Sequence, residues 1–126
     1  PLFITALMEG RRPIIFGDGS QTRDFTYVAN NVRANILAAT TEKSVEGRII
    51  NIACGTSFSL LDLLKAINQA LGQNIEPIFA PVRKGDVKHS LADIDLANEL
   101  LGYAVEVDFI EGIHRTVDWY KKRNHH

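Results

Sequence analysis

The sequence is poor in sulfur, with one cysteine and one methionine in 126 residues. Cys54 therefore has no internal disulfide partner, and the "NIACGTS" around it holds no second cysteine at metal or redox spacing. A reducing compartment, the cytoplasm, is the expected setting. Long apolar runs are missing too, none approaching the roughly 18 residues that cross a bilayer, and no charged, apolar, small-residue leader opens the chain. No membrane partner is expected. Charge of one sign is also absent: 14 Lys and Arg face 15 Asp and Glu, a formal net charge of -1. That leaves neither a basic footprint for nucleic acid nor an acidic tail. The sequence has no initial methionine, and "PLFITALMEGRRP" runs straight into a helix-like pattern. It reads as one from which upstream residues have been cut, leaving open a natural short protein or a truncated one. His125 and His126 read as a tag remnant as readily as native sequence and carry no functional reading.

Repeats, low-complexity tracts and linkers are absent as well, so residues 1–126 read as one domain. By size scaling, a chain of this length buries roughly two thirds of the surface it exposes when unfolded. Its 45% hydrophobic and 23% charged composition is ordinary for a globular domain. Leu2 to Gly10 has a short helix pattern and Pro13 to Phe16 a strand pattern. Asn30 is placed as an N-cap, with Val32, Ile36 and Ala39 on one face of a helix that fades near Thr41. "RIINIA", Arg48 to Ala53, is β-branched and nearly continuously apolar, the pattern of a strand covered on both faces, with Cys54 buried just after it.

Ser59 predicts a capped helix with Asp62 in its first turn, a buried stripe of Leu60, Leu64, Ile67 and Leu71, and Gly72 as its stop. "EPIFAP", Glu76 to Pro81, is a short strand, and "VRKGDVKHS" after it is a loop. Asp93 or Asp95 caps a short helix carrying Leu96, Leu100 and Leu101 that stops at Gly102. Asp108 and Glu111 predict a capping box for a last helix whose Phe109, Ile113, Val117 and Tyr120 share a face. Met8, Trp119 and Tyr120 read as packing residues, and His114 as solvated. The order predicts an α/β fold with a small mixed sheet of three short strands. That is little sheet for so many helices, so a partner layer is expected to be missing and an apolar face to stand exposed, favouring self-association.

Two loops hold the residues with binding chemistry. "IIFGDGSQTRDFTYVANN" has Gly17 and Gly19 but lacks the third glycine and the helix start of a dinucleotide fingerprint. Taken alone, Gly17, Asp18 and Gly19 form a tight turn, and Arg23 beside Asp24 a surface ion pair. The second loop, "VRKGDVKHSLAD", again places an arginine two residues before a glycine with an acid just after it. Two such loops suit a ligand with an anionic diphosphate and a ribose diol. A planar guanidinium binds phosphate oxygens in pairs, and a carboxylate accepts from sugar hydroxyls. Phe16, at the end of a strand, is placed to lie against a base. His89 lies within the second loop, without a companion at metal-ligand spacing.

"GDGSQTRDFTYV", "NIACGTSFSLLDLL", "RKGDVKHSLADIDLANELLGY" and "FIEGIHRTVDWY" together resemble the C-terminal half of extended short-chain dehydrogenase/reductases of the NAD-dependent epimerase/dehydratase family. The likeness covers nearly the whole chain and is strongest to the UDP-hexose 4-epimerases, in particular those acting on N-acetylated sugars. It implies that residues 1–126 are the substrate-binding subdomain alone, lacking its NAD-binding Rossmann domain, with that domain and a UDP-sugar as partners. NAD would belong to the parent enzyme and not to this chain. The family's G-x-x-G-x-x-G loop and Tyr-x-x-x-Lys pair have no counterpart, because "WYKKR" puts Lys121 and Lys122 directly after Tyr120. No catalytic residue is therefore assigned.

By the same resemblance, Arg23 and Arg83 match arginines that reach the nucleotide's diphosphate, and Asp86 the acid at the uridine ribose. Ile14 and Phe16 match strand positions lining the uracil, the first through its backbone. Ser90 matches the position beside the sugar's C2 substituent, where a small residue leaves room for an acetamido group. Asn30 stands where the family usually has aspartate, and Val105 where it usually has proline. The resemblance leaves open a related dehydratase, decarboxylase or uronate epimerase, and a free-standing binding domain with no reaction.

Overall fold

Side-chain capping marks the starts of two helices, at Ser59 and Asp108. In the computed structural model, which describes residues 1–123, the elements are α1 (Leu2–Met8), β1 (Ile14–Phe16), β2 (Thr22–Arg23), α2 (Val28–Thr40), β3 (Phe58–Ser59), α3 (Leu60–Leu71), β4 (Ile78–Ala80), α4 (Asp95–Leu101) and α5 (Phe109–Arg123). His125 and His126 lie outside the described residues. At the start of α3, Ser59 Oγ accepts from the Asp62 N–H at 3.0 Å, while Asp62 Oδ2 accepts from the Ser59 N–H at 2.9 Å and its hydroxyl at 2.6 Å. Gly72 closes the helix in the left-handed conformation, φ 67°. The α5 box is only half made: Asp108 Oδ1 accepts from the Glu111 N–H at 2.9 Å, but Arg115 Nε donates to the Glu111 carboxylate at 2.6 Å, one turn along.

The main core gathers Ile4 and Leu7 of α1, Ile15 of β1, Leu64 and Ile67 of α3 and Val117 of α5. Each such side chain contributes roughly 1.5–3 kcal/mol by leaving water. Met8, Leu60, Leu71, Ile113 and Tyr120 pack around it. A second cluster joins Ala34 of α2 to Ala97 and Leu101 of α4 and to Tyr103.

The fold is α/β, but its strands form two separate pairs. β1 runs parallel to β4, with Ile15 opposite Phe79, and β2 runs antiparallel to β3, with Thr22 opposite Ser59. A further parallel bridge joins Thr22 to His89. Arg12 secures the first pair by donating to the carbonyls of Glu76 and Pro77. No helix among the described residues is long and apolar enough to cross a membrane.

Three expectations are corrected. Arg48 to Ala53 is not a strand in the structure, because none of the described strands pairs with it. Ile50 and Ile52 turn into the second cluster, whereas Ile49 is 92% exposed. Cys54 accordingly follows irregular chain and is half-buried. Second, Asn30 does not cap α2, which begins two residues earlier with Tyr27 at its N-cap. Asn30 is instead fully buried: its Oδ1 accepts from the N–H groups of Glu106 and Val107, and its Nδ2 donates to the Val107 carbonyl at 2.8 Å. With Asn30 and Ala34 facing inward, Val32 and Ile36 are left about half exposed. Third, Trp119 is 52% exposed, edge-on to Tyr120 and under the guanidinium of Arg123, and does not enter the core.

Asn30→Ala should lower stability by about 2 kcal/mol, since a buried N–H, a part-buried N–H and a buried carbonyl lose their partner. Urea unfolding of the two chains checks this. The Ser59 hydroxyl, and next its backbone N–H, hold the Asp62 carboxyl below the usual aspartate range. A depressed native value stabilises the fold above the unfolded value of about pH 4, and the contribution is lost as pH falls through the native value. Ser59→Ala should therefore cost about 1 kcal/mol at neutral pH. The gap between the two chains should narrow as denaturation series are carried to acid pH below the usual aspartate range.

Candidate functional site

β1 ends at Phe16 and the chain turns sharply through Gly17 and Gly19, both in the left-handed region at φ 88° and 78°. A Cβ at Gly19 would lie 2.8 Å from Leu61 Cγ, so the turn has room for no side chain there. Asp18 Oδ1 accepts from the N–H and hydroxyl of Ser20, which keeps its carboxyl below the ordinary aspartate range. The two glycines thus serve a tight turn. Buried Gln21 fixes the exit: its Nε2 donates to the Phe16 carbonyl at 2.6 Å, and its own carbonyl accepts from the Leu60 N–H.

Arg23 and Asp24, neighbours in sequence, do not pair with each other in the structure. Successive side chains of an extended chain point to opposite faces. Asp24 turns inward and accepts from the N–H groups of Cys54 at 2.9 Å and Gly55 at 2.8 Å, pinning that turn. Arg23 turns the other way. Its Nη1 donates to the Thr22 carbonyl at 2.8 Å and its Nη2 to Asp86 Oδ1 at 2.7 Å, in the second loop. That loop is stitched along β2: the Thr22 N–H donates to the Lys88 carbonyl, and the Ser90 N–H donates to the Thr22 carbonyl. The His89 ring and the Thr22 hydroxyl meet at 3.1 Å.

Arg83 crosses to the end of β1, where its guanidinium carbon lies 3.7 Å from the centroid of the Phe16 ring. A cleft of about 950 Å³ opens beside these groups. Ile14, Phe16, Arg23, Arg83 and Asp86 all line it, above an apolar floor that includes Leu63 and Ile113. Ser90 does not line it; it is exposed on the loop, held to β2 by its backbone. Lys84 and Gln21 line the cleft and escaped the reading of the sequence. The run "RK" was the available signal for Lys84; nothing local marks Gln21.

The cleft presents three cations, Arg23, Arg83 and Lys84, beside the carboxylates of Asp86 and Asp108, an aromatic ring and an apolar floor. That set can hold an anionic ligand with a flat part. Among the described residues, no three His, Cys, Asp or Glu side chains are grouped to hold a metal ion. The Tyr120 ring packs against the main core, and Lys121 Nζ donates to the Ala70 carbonyl at 3.0 Å, so both are engaged away from the cleft. Burial, and then the Asp24 carboxylate, push the Cys54 thiol above its ordinary range.

Comparison with known proteins gives this geometry a context. The NAD dependent epimerase/dehydratase family model matches residues 1–53. The chain is 37% identical to a UDP-glucose 4-epimerase of Mycolicibacterium smegmatis over 98% of its own length and 39% of that protein. It superimposes on UDP-glucose 4-epimerase of Thermotoga maritima, solved with UDP-glucose, with a TM-score of 0.89 and 35% identity over 97% of this chain and 38% of that one. UDP-N-acetylglucosamine 4-epimerase of Methanobrevibacter ruminantium, solved with UDP-N-acetylmuramic acid, gives 0.88 and 37% over 98% of this chain and 39% of that one. Other relatives are dTDP-glucose 4,6-dehydratases and a UDP-N-acetyl-alpha-D-glucosaminuronate decarboxylase. The chain spans about two fifths of the length of the curated relatives it matches.

The two carboxylates that follow from the loops should behave differently. Asp24→Ala strands two backbone N–H groups and should cost about 2 kcal/mol. Asp86→Ala breaks a half-buried ion pair and should move stability by under about 1 kcal/mol. Paired urea titrations distinguish the framework carboxylate from the cleft carboxylate.

Proposed function

The chain belongs to the NAD-dependent epimerase/dehydratase family of extended short-chain dehydrogenase/reductases, and on that premise we propose that residues 1–126 hold the UDP-sugar substrate of a UDP-hexose 4-epimerase. One observation carries the reading: Arg23 and Asp86, 63 residues apart, meet in a cleft that Arg83 and Phe16 also line. Arg23 and Arg83 bind the diphosphate, with Lys84 as a further cation on the same loop. Asp86 accepts from the ribose diol. The Phe16 ring and the Ile14 backbone meet the uracil. This chain does not bind NAD and has no activity by itself; a further, NAD-binding part of a longer protein supplies the cofactor and the catalytic groups. That part covers the outer face of α2, with Val28, Val32 and Ile36, and the unpaired segment around Ile49, all of them exposed in this chain. In its absence the same surface favours self-association.

The sugar in this reading is a UDP-N-acetylhexosamine. Ser90 lies outside the lining of the cleft in this chain, but its N–H is bonded to the carbonyl of the residue before Arg23, and where a longer protein completes the site its small side chain leaves room for an acetamido group. The 37% identity to a UDP-N-acetylglucosamine 4-epimerase is matched by 37% to a UDP-glucose 4-epimerase, so the choice of sugar rests on the size of Ser90. Dehydratase and decarboxylase relatives keep a second reading alive, in which the same cleft serves another reaction on a nucleotide sugar.

Calorimetric titration with UDP tests the diphosphate assignment. Charge-assisted hydrogen bonds are worth about 1.5–3 kcal/mol, so Arg23→Ala and Arg83→Ala should each weaken binding about 10- to 150-fold. Equal affinity in all three chains would remove the assignment. In the longer enzyme, Ser90→Tyr should depress kcat/KM for acetylated substrates while sparing UDP-glucose; an unchanged ratio would exclude Ser90 as the gate.

A further inference from the structure

Four of the groups assigned to the nucleotide are already paired with one another. Arg23 is held by Asp86 at 2.7 Å, and Arg83 lies 3.7 Å from the centre of the Phe16 ring. We propose that the loop from Val82 to Lys88 is a latch, closed by these two contacts, that an entering diphosphate opens by exchange. The inference rests on the reading of the cleft as a diphosphate site.

The loop is built to move between fixed ends. Before it, the Gly17 N–H donates to the Ala80 carbonyl at 2.8 Å; after it, Thr22 is bonded to Lys88 and Ser90. Between those ends the loop carries one turn bond of its own, from the Asp86 N–H to the Arg83 carbonyl at 3.2 Å. Gly85 is left-handed at φ 85°, with nothing within 4 Å of the place a Cβ would take. Val82 and Val87 stand exposed, so no buried apolar contact resists displacement. What ties the middle of the loop down is the guanidinium on the ring and the carboxylate on Arg23.

Both contacts use an arginine that an anion would compete for. A phosphate oxygen takes Arg23 Nη2 from Asp86, leaving that carboxylate free to accept from a diol. The same anion draws Arg83 off Phe16 and opens the ring face to a base. The latch makes all four ligand contacts available in one exchange, with the anion as the trigger.

The latch is separable from the binding site because the two give effects of opposite sign. In the 126-residue chain, Phe16→Leu should bind inorganic pyrophosphate about three- to tenfold more tightly, since Arg83 no longer rests on a ring. It should bind UDP more weakly than the unaltered chain does, having lost its contact with the base. Asp86→Asn, on an exposed loop where folding is not at risk, should show the same pair of effects through Arg23. NMR of the Arg83 side-chain N–H should show a ring-current shift in the free chain. That shift should vanish on adding pyrophosphate and be absent from Phe16→Leu. An unshifted Arg83 signal in the free chain overturns the latch, as does pyrophosphate affinity that neither substitution raises. If UDP still binds through both arginines, the diphosphate site survives that result. If UDP binding is insensitive to both arginines, site and latch fall together.

Discussion

Two residues of backbone, Thr22 and Arg23, hold the candidate site together. Thr22 is opposite Ser59 in β3 on one side and bridges to His89 on the other, so a strand two residues long joins three distant parts of the chain. Through Ser59 it is fixed to the start of α3 and thereby to the main core. Through the Lys88 and Ser90 bonds it positions the loop that carries Arg83 and Asp86. Closing a loop of more than sixty residues carries an entropic cost that grows only slowly with length. A few ladder hydrogen bonds on a rigid helix start are enough to keep the two loops adjacent. The arginines themselves contribute little to this framework, because half-buried ion pairs and cation-π contacts are weak beside core burial.

Local chemistry was legible in the sequence wherever one side chain settles a local question. Ser59 with Asp62 announces a helix start, Gly72 and Gly102 announce stops, and the two glycine-flexed loops reveal the charged residues they present. Burial of a particular face was not legible. Periodicity says that Val32 and Ile36 share an apolar face, but not that the described chain covers the opposite one. There Asn30 satisfies the backbone of Glu106 and Val107, as only a short amide aimed at a neighbouring segment can. An asparagine near a helix start reads as a cap by every local rule, and only the tertiary partner reverses that reading. "RIINIA" failed for the same reason: its composition calls for sheet on both sides, and no described strand supplies it.

Arg23 and Asp24 carry a different lesson. Their adjacency suggests a pair, yet on an extended backbone it separates them. Asp24 is consumed by two amides of the Cys54 turn and Arg23 is sent into the cleft. Framework and ligand chemistry therefore sit side by side in one dipeptide without competing.

The same separation runs through the whole chain. Three residues with acid-base potential outside the cleft are engaged structurally: Tyr120 in the main core, Lys121 on a helix carbonyl, and Tyr103 donating its hydroxyl to the Ala53 carbonyl at 2.8 Å. Inside the cleft stand groups that bind charge, accept from hydroxyls or cover a flat ring. Val32 and Ile36 of α2 and Ile49 stand exposed away from those groups. Covering them would release about 25 cal/mol for each Å² removed from water. The cleft is built by β2 and the two loops, and the exposed Val32 and Ile36 lie on a helix whose inner side is held by Asn30.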